Sequence, residues 1–283
     1  MNLPSRFAFA ALAGALAAGT GAAQEAPKLV LPRPSPSATV KQTVGLTDVT
    51  VAYSSPAVKG RKIWGDVVPF DEVWRAGANE CSKLTLSTPA TIGGKAVAPG
   101  TYCLFLLPTQ AGWTFILNKD TTLWGAYGYK TENDVLRVPA TSSAIPARER
   151  LAFEILDFND DGGTLALEWD TLRVGVKLEV ATRSTVLAAI RALKTDDWRT
   201  YANAARYLLE DRTEPALAMQ LVDRSIALKE EWYNLWVKAQ LLAASGKKAD
   251  AVKVAERSQE LGKKAQSFPL ADDIAKAIAD WKK

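Results

Sequence analysis

The hydrophobic period of this chain changes once, near Ser184, and the change predicts two different kinds of domain. Before this point, short segments alternate apolar and polar residues and end at glycine or proline, as strands joined by turns do. In the clearest segment, residues 173–180, Val174 and Val176 face one side and charged residues face the other. Because no helical pattern interrupts these segments, they predict a mainly β domain, an antiparallel sandwich or barrel over residues 38–181. The predicted strands lie within residues 46–53, 83–87, 91–108, 113–118, 135–140, 150–158, 164–172 and 173–180.

After Ser184 the apolar residues recur with the helical period of 3.6, which predicts an all-α tail over residues 184–283. Within it, Trp198 and Trp232 are 34 residues apart, and so are Ala205 and Ala239. This spacing resembles that of a tetratricopeptide repeat, a helix–turn–helix unit. Two units fall short of the roughly three that such an array needs, so a capping helix, the β domain or a partner protein must cover the open face. The predicted helices are 184–194, 197–211, 215–229, 232–245, 248–264 and 270–282.

The N-terminus has the pattern of a secretory signal peptide over residues 1–23. Arg6 precedes a short apolar run, residues 7–18, and small residues follow it. The run is shorter than the about 20 residues that span a membrane, and no later segment is long enough. A proline-rich lead-in over residues 24–37 follows. We therefore expect an exported protein without a membrane span, either periplasmic or secreted.

Charge and composition exclude several function classes. The formal net charge is only +4 and the basic residues form no block, which argues against a nucleic-acid partner. The chain contains no histidine, so Ser-His-Asp and Cys-His catalysis and histidine-rich zinc sites are excluded. An enzyme built from this chain has to use carboxylates, lysine, tyrosine, serine or arginine. The glycine-rich phosphate-binding motifs are also missing, and no cofactor is expected.

Cys81 and Cys103 are the only two cysteines. In an oxidising compartment a disulfide between them would stabilise the fold by about 3 kcal/mol through loop closure. The alternative is a pair of buried free thiols.

The stretch GRKIWGDVVPFDEVWRAGANECS, residues 60–82, is a long connection without a regular period, and such loops are often functional. Its tryptophans could stack on sugar rings, its arginines could hold an anion, and its carboxylates could transfer protons. The alternative is a tryptophan-anchored cover over the core, in which Arg75 pairs with Glu72 or Glu80. The candidate ligand-binding residues here are Arg61, Trp64, Glu72, Trp74, Arg75, Asn79 and Glu80.

A second candidate loop is NKDTTLWGAYGY, residues 118–129. Aromatic rings beside an amide and a lysine suit a glycan or peptide ligand, although the same rings could simply fill one end of the β domain. Whether the two loops share one end of the domain does not follow from the sequence. The candidates here are Asn118, Lys119, Trp124, Tyr127 and Tyr129.

Residues 157–168 have the spacing of a calcium-binding loop. Its ligands would be Asp157, Asn159, Asp161 and Glu168. However, both flanks alternate as strands, and Asn-Asp-Asp-Gly-Gly also suits a β-hairpin turn. We therefore favour the hairpin and expect no metal.

The β segment resembles a bacterial family catalogued as domain of unknown function 2911, over about residues 33–180. The stretches that carry the resemblance are residues 33–80, GGKAVAPGTYCLFLLP, LNKDTTLWGAYGY and DVLRV. The resemblance implies an exported or cell-envelope β domain and no established reaction. The family usually has small residues other than cysteine at the positions of Cys81 and Cys103, and two departures together favour pairing between them.

These patterns predict an exported, non-enzymatic binding or scaffold module. Its loops would contact a small polar ligand, a glycan or a peptide, and its helical tail would contact a protein partner. The alternatives are a carboxylate-dependent hydrolase that uses the same loops and a purely structural envelope protein.

Overall fold

A computed structural model of the chain describes residues 31–283. The predicted signal peptide, residues 1–23, and the lead-in up to residue 30 lie outside these residues. The described part has an antiparallel β domain followed by α-helices, which confirms the fold class that the change of period predicts.

Nine strands form one sheet in the order β1-β2-β3-β6-β7-β8-β9-β4-β5, and all neighbours in it are antiparallel. The strands are β1 (Ser37–Val44), β2 (Thr47–Ser54), β3 (Ser82–Leu86), β4 (Ala90–Ile92), β5 (Lys95–Val97), β6 (Gly100–Pro108), β7 (Trp113–Asn118), β8 (Asp134–Asn159) and β9 (Gly162–Val180).

The two longest strands, β8 and β9, depart from the sequence prediction, which divides each of them in two. Pro146 and the polar residues around it interrupt the apolar period of β8, but the strand continues through irregular pairing between Ala144 and Arg148. β8 pairs with β7 as far as Ala140 and with β9 from Thr141 onward. It therefore carries the chain from one half of the sheet to the other. The prediction also missed β1, whose sequence SATVKQTV is too polar to stand out.

The sheet folds over on itself, so that its two halves enclose one core. Val49 and Leu104 from one half and Phe153 and Leu167 from the other belong to the same buried cluster. The end of β2 reaches β8, where the Ser55 hydroxyl donates to the Leu151 carbonyl at 2.6 Å. This arrangement is that of a sandwich.

The outer face of β6 and β7 is also buried, because the two candidate loops cover it. Cys103, Phe105 and Ile116 form a second, smaller apolar cluster there with Cys81. Cys81 and Cys103 are joined in a disulfide with their Cα atoms 5.6 Å apart, a usual separation, which confirms the predicted pairing.

Six α-helices form the helical tail, and they match the six predicted helices. The same contact recurs in two helix pairs, the first within residues 198–228 and the second within residues 232–262. In the first pair Ser225 donates to the Trp198 carbonyl at 2.7 Å, and in the second Ser258 donates to the Trp232 carbonyl at 2.6 Å. None of these helices is long and apolar enough to cross a membrane within residues 31–283. The helices are α1 (Thr182–Arg191), α2 (Trp198–Glu210), α3 (Pro215–Leu228), α4 (Trp232–Ala244), α5 (Lys248–Gly262) and α6 (Ala271–Trp281).

The last helix acts as the cap that a two-unit array requires. Ile274 and Ile278 of α6 are buried against Trp236, Val252 and Ala255 of the second helix pair. The tail is therefore closed at its C-terminal end by its own chain.

Candidate functional site

The two candidate loops, predicted at residues 60–82 and 118–129, occupy residues 55–81 and 119–130 between the regular elements and lie side by side. Glu80 and Trp124 form an isolated antiparallel bridge. The Cys81 N–H donates to the Leu123 carbonyl at 3.1 Å, and the Gly125 N–H donates to the Asn79 carbonyl at 3.0 Å. We call residues 79–81 and 123–125 the loop junction. The two candidate loops therefore meet, which the sequence alone did not establish.

The junction forms because the first loop contains a large bulge. Trp74 exchanges two backbone hydrogen bonds of 2.8 Å with Leu106, while Ser82 pairs with Leu104, close by on β6. Residues 75–81 must therefore leave the sheet between these two attachment points.

The bulge has a specific internal structure. Ala76 and Asn79 have φ angles of 50° and 60°, in the left-handed region that few residues other than glycine adopt. The Ser82 hydroxyl closes the bulge by donating to the Ala76 carbonyl at 2.8 Å. The Asn79 side chain donates to the Ser54 hydroxyl at 3.1 Å and to the Ser35 carbonyl at 3.3 Å. These bonds hold the edge of the loop junction in place.

Trp64 and Trp74 turn inward rather than toward solvent. The ring of Trp74 stacks on Trp169 with centroids 5.9 Å apart and an interplanar angle of 15°. Trp64 packs edge-on against Trp74, Trp113 and Trp169, with centroids 5.3 to 6.0 Å apart. We call these four residues the buried tryptophan cluster. It matches the alternative interpretation of the first loop as a tryptophan-anchored cover.

Trp124 and Tyr127 of the second loop instead remain 55% and 78% exposed. Gly125 lies between them with a φ of 68°, and a Cβ there would lie 3.2 Å from Nη1 of Arg75 and 3.4 Å from the ring of Tyr127. Because Gly125 has no side chain, the Arg75 guanidinium and the Tyr127 ring can both lie close to its backbone. We call Arg75, Trp124, Gly125 and Tyr127 the Arg75 surface.

Arg75 of the first loop is half-buried. Within residues 31–283 no carboxylate lies within salt-bridge distance of its guanidinium, and its Nε is buried without a hydrogen-bond acceptor. Burial lowers the pKa of Arg75, with the nearby Tyr127 acting in the opposite direction. The expected pairing with Glu72 or Glu80 does not form, because Glu80 pairs with Arg33 at 3.3 Å and Glu72 points into solvent.

A buried carboxylate that sequence reasoning missed fixes the second loop. Asp134 accepts hydrogen bonds from Asn118 at 2.8 Å, from the Tyr129 hydroxyl at 2.5 Å and from Arg137 at 3.0 Å. Burial and the Asp134 carboxylate raise the pKa of Tyr129 to about 12. Asn118 also donates to the Lys130 carbonyl at 3.1 Å and is fully buried. Asn118 and Tyr129 thus connect the two ends of the loop, and no local motif reveals their partners.

The remaining predicted residues take different positions. Arg61 donates to the carbonyls of Ala57 at 2.6 Å and Val58 at 3.1 Å within its own loop. Lys119 is exposed at the start of the second loop. A hydrogen bond from its own backbone N–H and the nearby Arg33 lower the pKa of Glu80, so this carboxyl group stays ionised.

The family model described as Protein of unknown function (DUF2911) matches residues 35–178, which is more than half of the chain. This protein belongs to the DUF2911 family. The matched residues hold nearly the whole β domain, the loop junction and the Arg75 surface, while the helical tail lies beyond them. No curated protein and no solved structure matches the chain.

The calcium-like segment of the DUF2911 domain forms the β8–β9 hairpin, with Asn159 opposite Gly162. Glu168 instead accepts hydrogen bonds from Arg148 and Arg173. At about 3.3 Å per residue, Glu168 lies about 20 Å along β9 from the hairpin tip. Asp157, Asn159 and Asp161 therefore lack the bidentate glutamate that completes a calcium loop, and the favoured hairpin is what forms.

A concave surface lies outside the DUF2911 domain, in the helical tail. It is a groove of about 510 Å³ across α2, α4 and α6. Trp236 and Trp281 stack there with centroids 5.7 Å apart. The polar residues that line it are Arg206, Glu210, Tyr233, Gln240 and Asp273.

Proposed function

We propose that this DUF2911 protein is a non-enzymatic binding module that takes a saccharide at the Arg75 surface. The observation that carries the proposal is the exposure of Trp124 and Tyr127 at the point where the two loops join. Exposed aromatic rings offer flat apolar faces on which the C–H faces of a sugar can stack, while polar groups beside them accept or donate hydrogen bonds.

The alternative of a carboxylate-dependent hydrolase has less support. A glycosidase needs one carboxylic acid with a raised pKa to protonate the leaving group. On these loops the pKa values of two carboxyl groups are lowered instead. Backbone and Arg33 hydrogen bonds lower the pKa of Glu80, and hydrogen bonds from Thr122 lower the pKa of Asp120. Both groups are thereby held in the form that cannot donate a proton.

Calorimetric titration with a panel of neutral and acidic oligosaccharides tests the proposal. We expect at least one saccharide to bind, and its affinity to fall about five- to tenfold in Trp124→Ala and Tyr127→Ala, since stacking on one ring is worth roughly 1–1.5 kcal/mol. Phe158→Ala is the matched control, because Phe158 is an exposed aromatic residue on the distant β8–β9 hairpin. If no saccharide binds, or if the three variants behave alike, the proposal fails and the purely structural alternative gains.

A second binding role, for the helical tail, is supported by the groove across α2, α4 and α6. Arg206 pairs with Glu210 at 2.7 Å, which leaves Asp273 as the uncompensated charge among the described lining residues. By charge complementarity we propose that the groove binds an extended basic segment of a partner protein.

Fluorescence anisotropy with two synthetic 15-residue peptides tests this role. One peptide alternates leucine and serine with lysine, and the other has glutamate in place of lysine. We expect the lysine peptide to bind more tightly and to lose affinity several-fold in Asp273→Asn but not in Asp272→Asn, its exposed neighbour on α6. Equal binding of both peptides, or equal effects of both variants, would contradict a basic partner.

We also propose that the protein works outside the cytoplasm. The Cys81–Cys103 disulfide supports this location, since structural disulfides persist in oxidising compartments. Cell fractionation with intact-mass spectrometry checks it: we expect a periplasmic or secreted chain that begins at Gln24. A cytoplasmic chain that still carries residues 1–23 would show that this expectation is wrong.

A further inference from the structure

We infer that Arg75 is the anion-binding group of this surface, and that the ligand is an acidic saccharide whose carboxylate or phosphate oxygens pair with the guanidinium. This inference rests on the proposed saccharide-binding function and specifies the chemical class of the ligand.

The first support is the unusual state of Arg75. A half-buried guanidinium normally has a carboxylate or several carbonyl oxygens around it, because removing a charge from water without a partner is unfavourable. Here Nε is buried and has no acceptor among the described residues, and Nη1 lies close to the Gly125 backbone. The Nη atoms are not buried and have no acceptor among the described residues either, so they are the donors of Arg75 that a ligand can reach.

The second support is the way in which Arg75 is held. It is the first residue of the bulge that the Ser82 hydroxyl closes, and the Cys81–Cys103 disulfide ends the same bulge. Its carbonyl also accepts the Ser82 N–H at 3.4 Å. A guanidinium on such an anchored segment loses little conformational entropy when it binds an anion.

The third support is the charge around the site. Glu80, the acidic residue of the loop junction, is compensated by Arg33 at 3.3 Å. The second loop adds two exposed lysines, Lys119 and Lys130. Because the only carboxylate of the second loop is Asp120, this loop carries a net positive charge beside Arg75.

The geometry favours a ring that carries the anion. Arg75 and the ring of Tyr127 both lie beside Gly125, so one ligand can stack on an aromatic face and accept a hydrogen bond from Arg75 at the same time. An arginine fork matches both carboxylate and phosphate oxygens, so both sources of the anion have to be compared.

Calorimetric titration of the full mature chain with trigalacturonate and with its methyl ester separates the charge from the rings. We expect the acid to bind at least tenfold more tightly than the ester, and this preference to weaken as salt is raised. Glucose 6-phosphate and inorganic phosphate test the phosphate source. Tight binding of inorganic phosphate alone would contradict a ligand with a sugar ring.

Arg75→Gln should remove the preference for the acid and leave the affinity for the ester unchanged, and Arg75→Lys should restore part of the preference. Lys62→Gln is the matched control, because it removes one positive charge from an exposed position of the same loop. If Arg75→Gln weakens acid and ester equally, Arg75 has only a structural role and the inference is overturned.

A measurement on the wild-type protein keeps the inference testable even if the Arg75 variants fold poorly. In side-chain NMR, the Arg75 Nε–Hε signal should shift when trigalacturonate is added and should not shift with the ester. No shift with either compound would overturn the inference. Binding of both the acid and the ester that depends on Trp124 but not on Arg75 would leave the proposed function standing while the anion inference fails. Binding of neither compound would count against both.

Discussion

The buried tryptophan cluster and the Arg75 surface use similar residues from adjoining loops, and yet they differ in almost every physical respect. Trp64 and Trp74 pack against Trp169, whose ring is almost wholly enclosed. Trp124 and Tyr127 present their rings to water beside Arg75, which has no salt-bridge partner among residues 31–283. The comparison teaches that an aromatic loop residue indicates either packing or binding, and that only the burial of its ring separates the two.

The largest difference should appear in stability. Trp169→Ala leaves a cavity among three other tryptophans, and we expect it to lower the free energy of unfolding by about 3–5 kcal/mol. Trp124→Ala removes an exposed ring and should change the same quantity by no more than about 0.5 kcal/mol. Urea denaturation followed by far-UV circular dichroism measures both. Comparable losses in the two variants would show that Trp124 is part of the packing.

The disulfide should have the next largest effect. Its cysteines are 22 residues apart, and the double variant Cys81→Ala/Cys103→Ala should lose about 3 kcal/mol of stability, because the unfolded chain is no longer constrained. The native loop junction should also loosen, because the disulfide ends the bulge beside it. The Gly125 N–H, bonded to Asn79 at the loop junction, should exchange with solvent faster, while the Trp74 N–H, bonded to Leu106 beside the tryptophan cluster, should remain protected. Equal acceleration at both amides would contradict this local role.

The sequence predicts the framework of the molecule better than its surface. Alternation such as that of Val174 and Val176 identifies β9, and the spacing of Trp198 and Trp232 identifies the helix pairs, because each pattern is local. The two ends of β8 are predicted, but their continuity is not, because the pairing continues through a polar stretch that has no apolar period.

The candidate site is predictable only as a set of residue types. The meeting of the two loops depends on the bulge between Trp74 and Ser82, which no sequence pattern marks. The role of Asn118 depends on Asp134, which lies 16 residues away along the chain. Tertiary contacts of this kind decide which polar groups are satisfied and which remain open to a ligand.

A smaller effect on stability is expected at Glu168, a carboxylate that has two arginine partners. Burial raises the pKa of Glu168, but hydrogen bonds from Arg173 and Arg148 outweigh it, and the pKa lies below its ordinary value of 4.5. Its contribution to stability is therefore complete above about pH 4.5 and is lost as the pH falls through the lowered value. We expect Glu168→Gln to cost about 1–3 kcal/mol near pH 7, and the difference from wild type to shrink in acid. A difference that did not change with pH would contradict the role of the carboxylate charge.

The smallest predicted effect has the opposite sign. Glu168 has two arginine partners, whereas Arg75 has no ionic partner in the described part of the chain. Arg75→Met should therefore leave the free energy of unfolding unchanged or raise it by up to about 1 kcal/mol. Arg137→Met is the matched control, because Arg137 pairs with the buried Asp134 and its loss should be destabilising. Urea denaturation of both variants provides the measurement. If Arg75→Met does not weaken the fold but does abolish the preference for an acidic saccharide, the bulge holds Arg75 in place for its ligand. If Arg75→Met instead destabilises the protein as much as Arg137→Met does, Arg75 contributes to packing, and the inference of an anion site loses its premise.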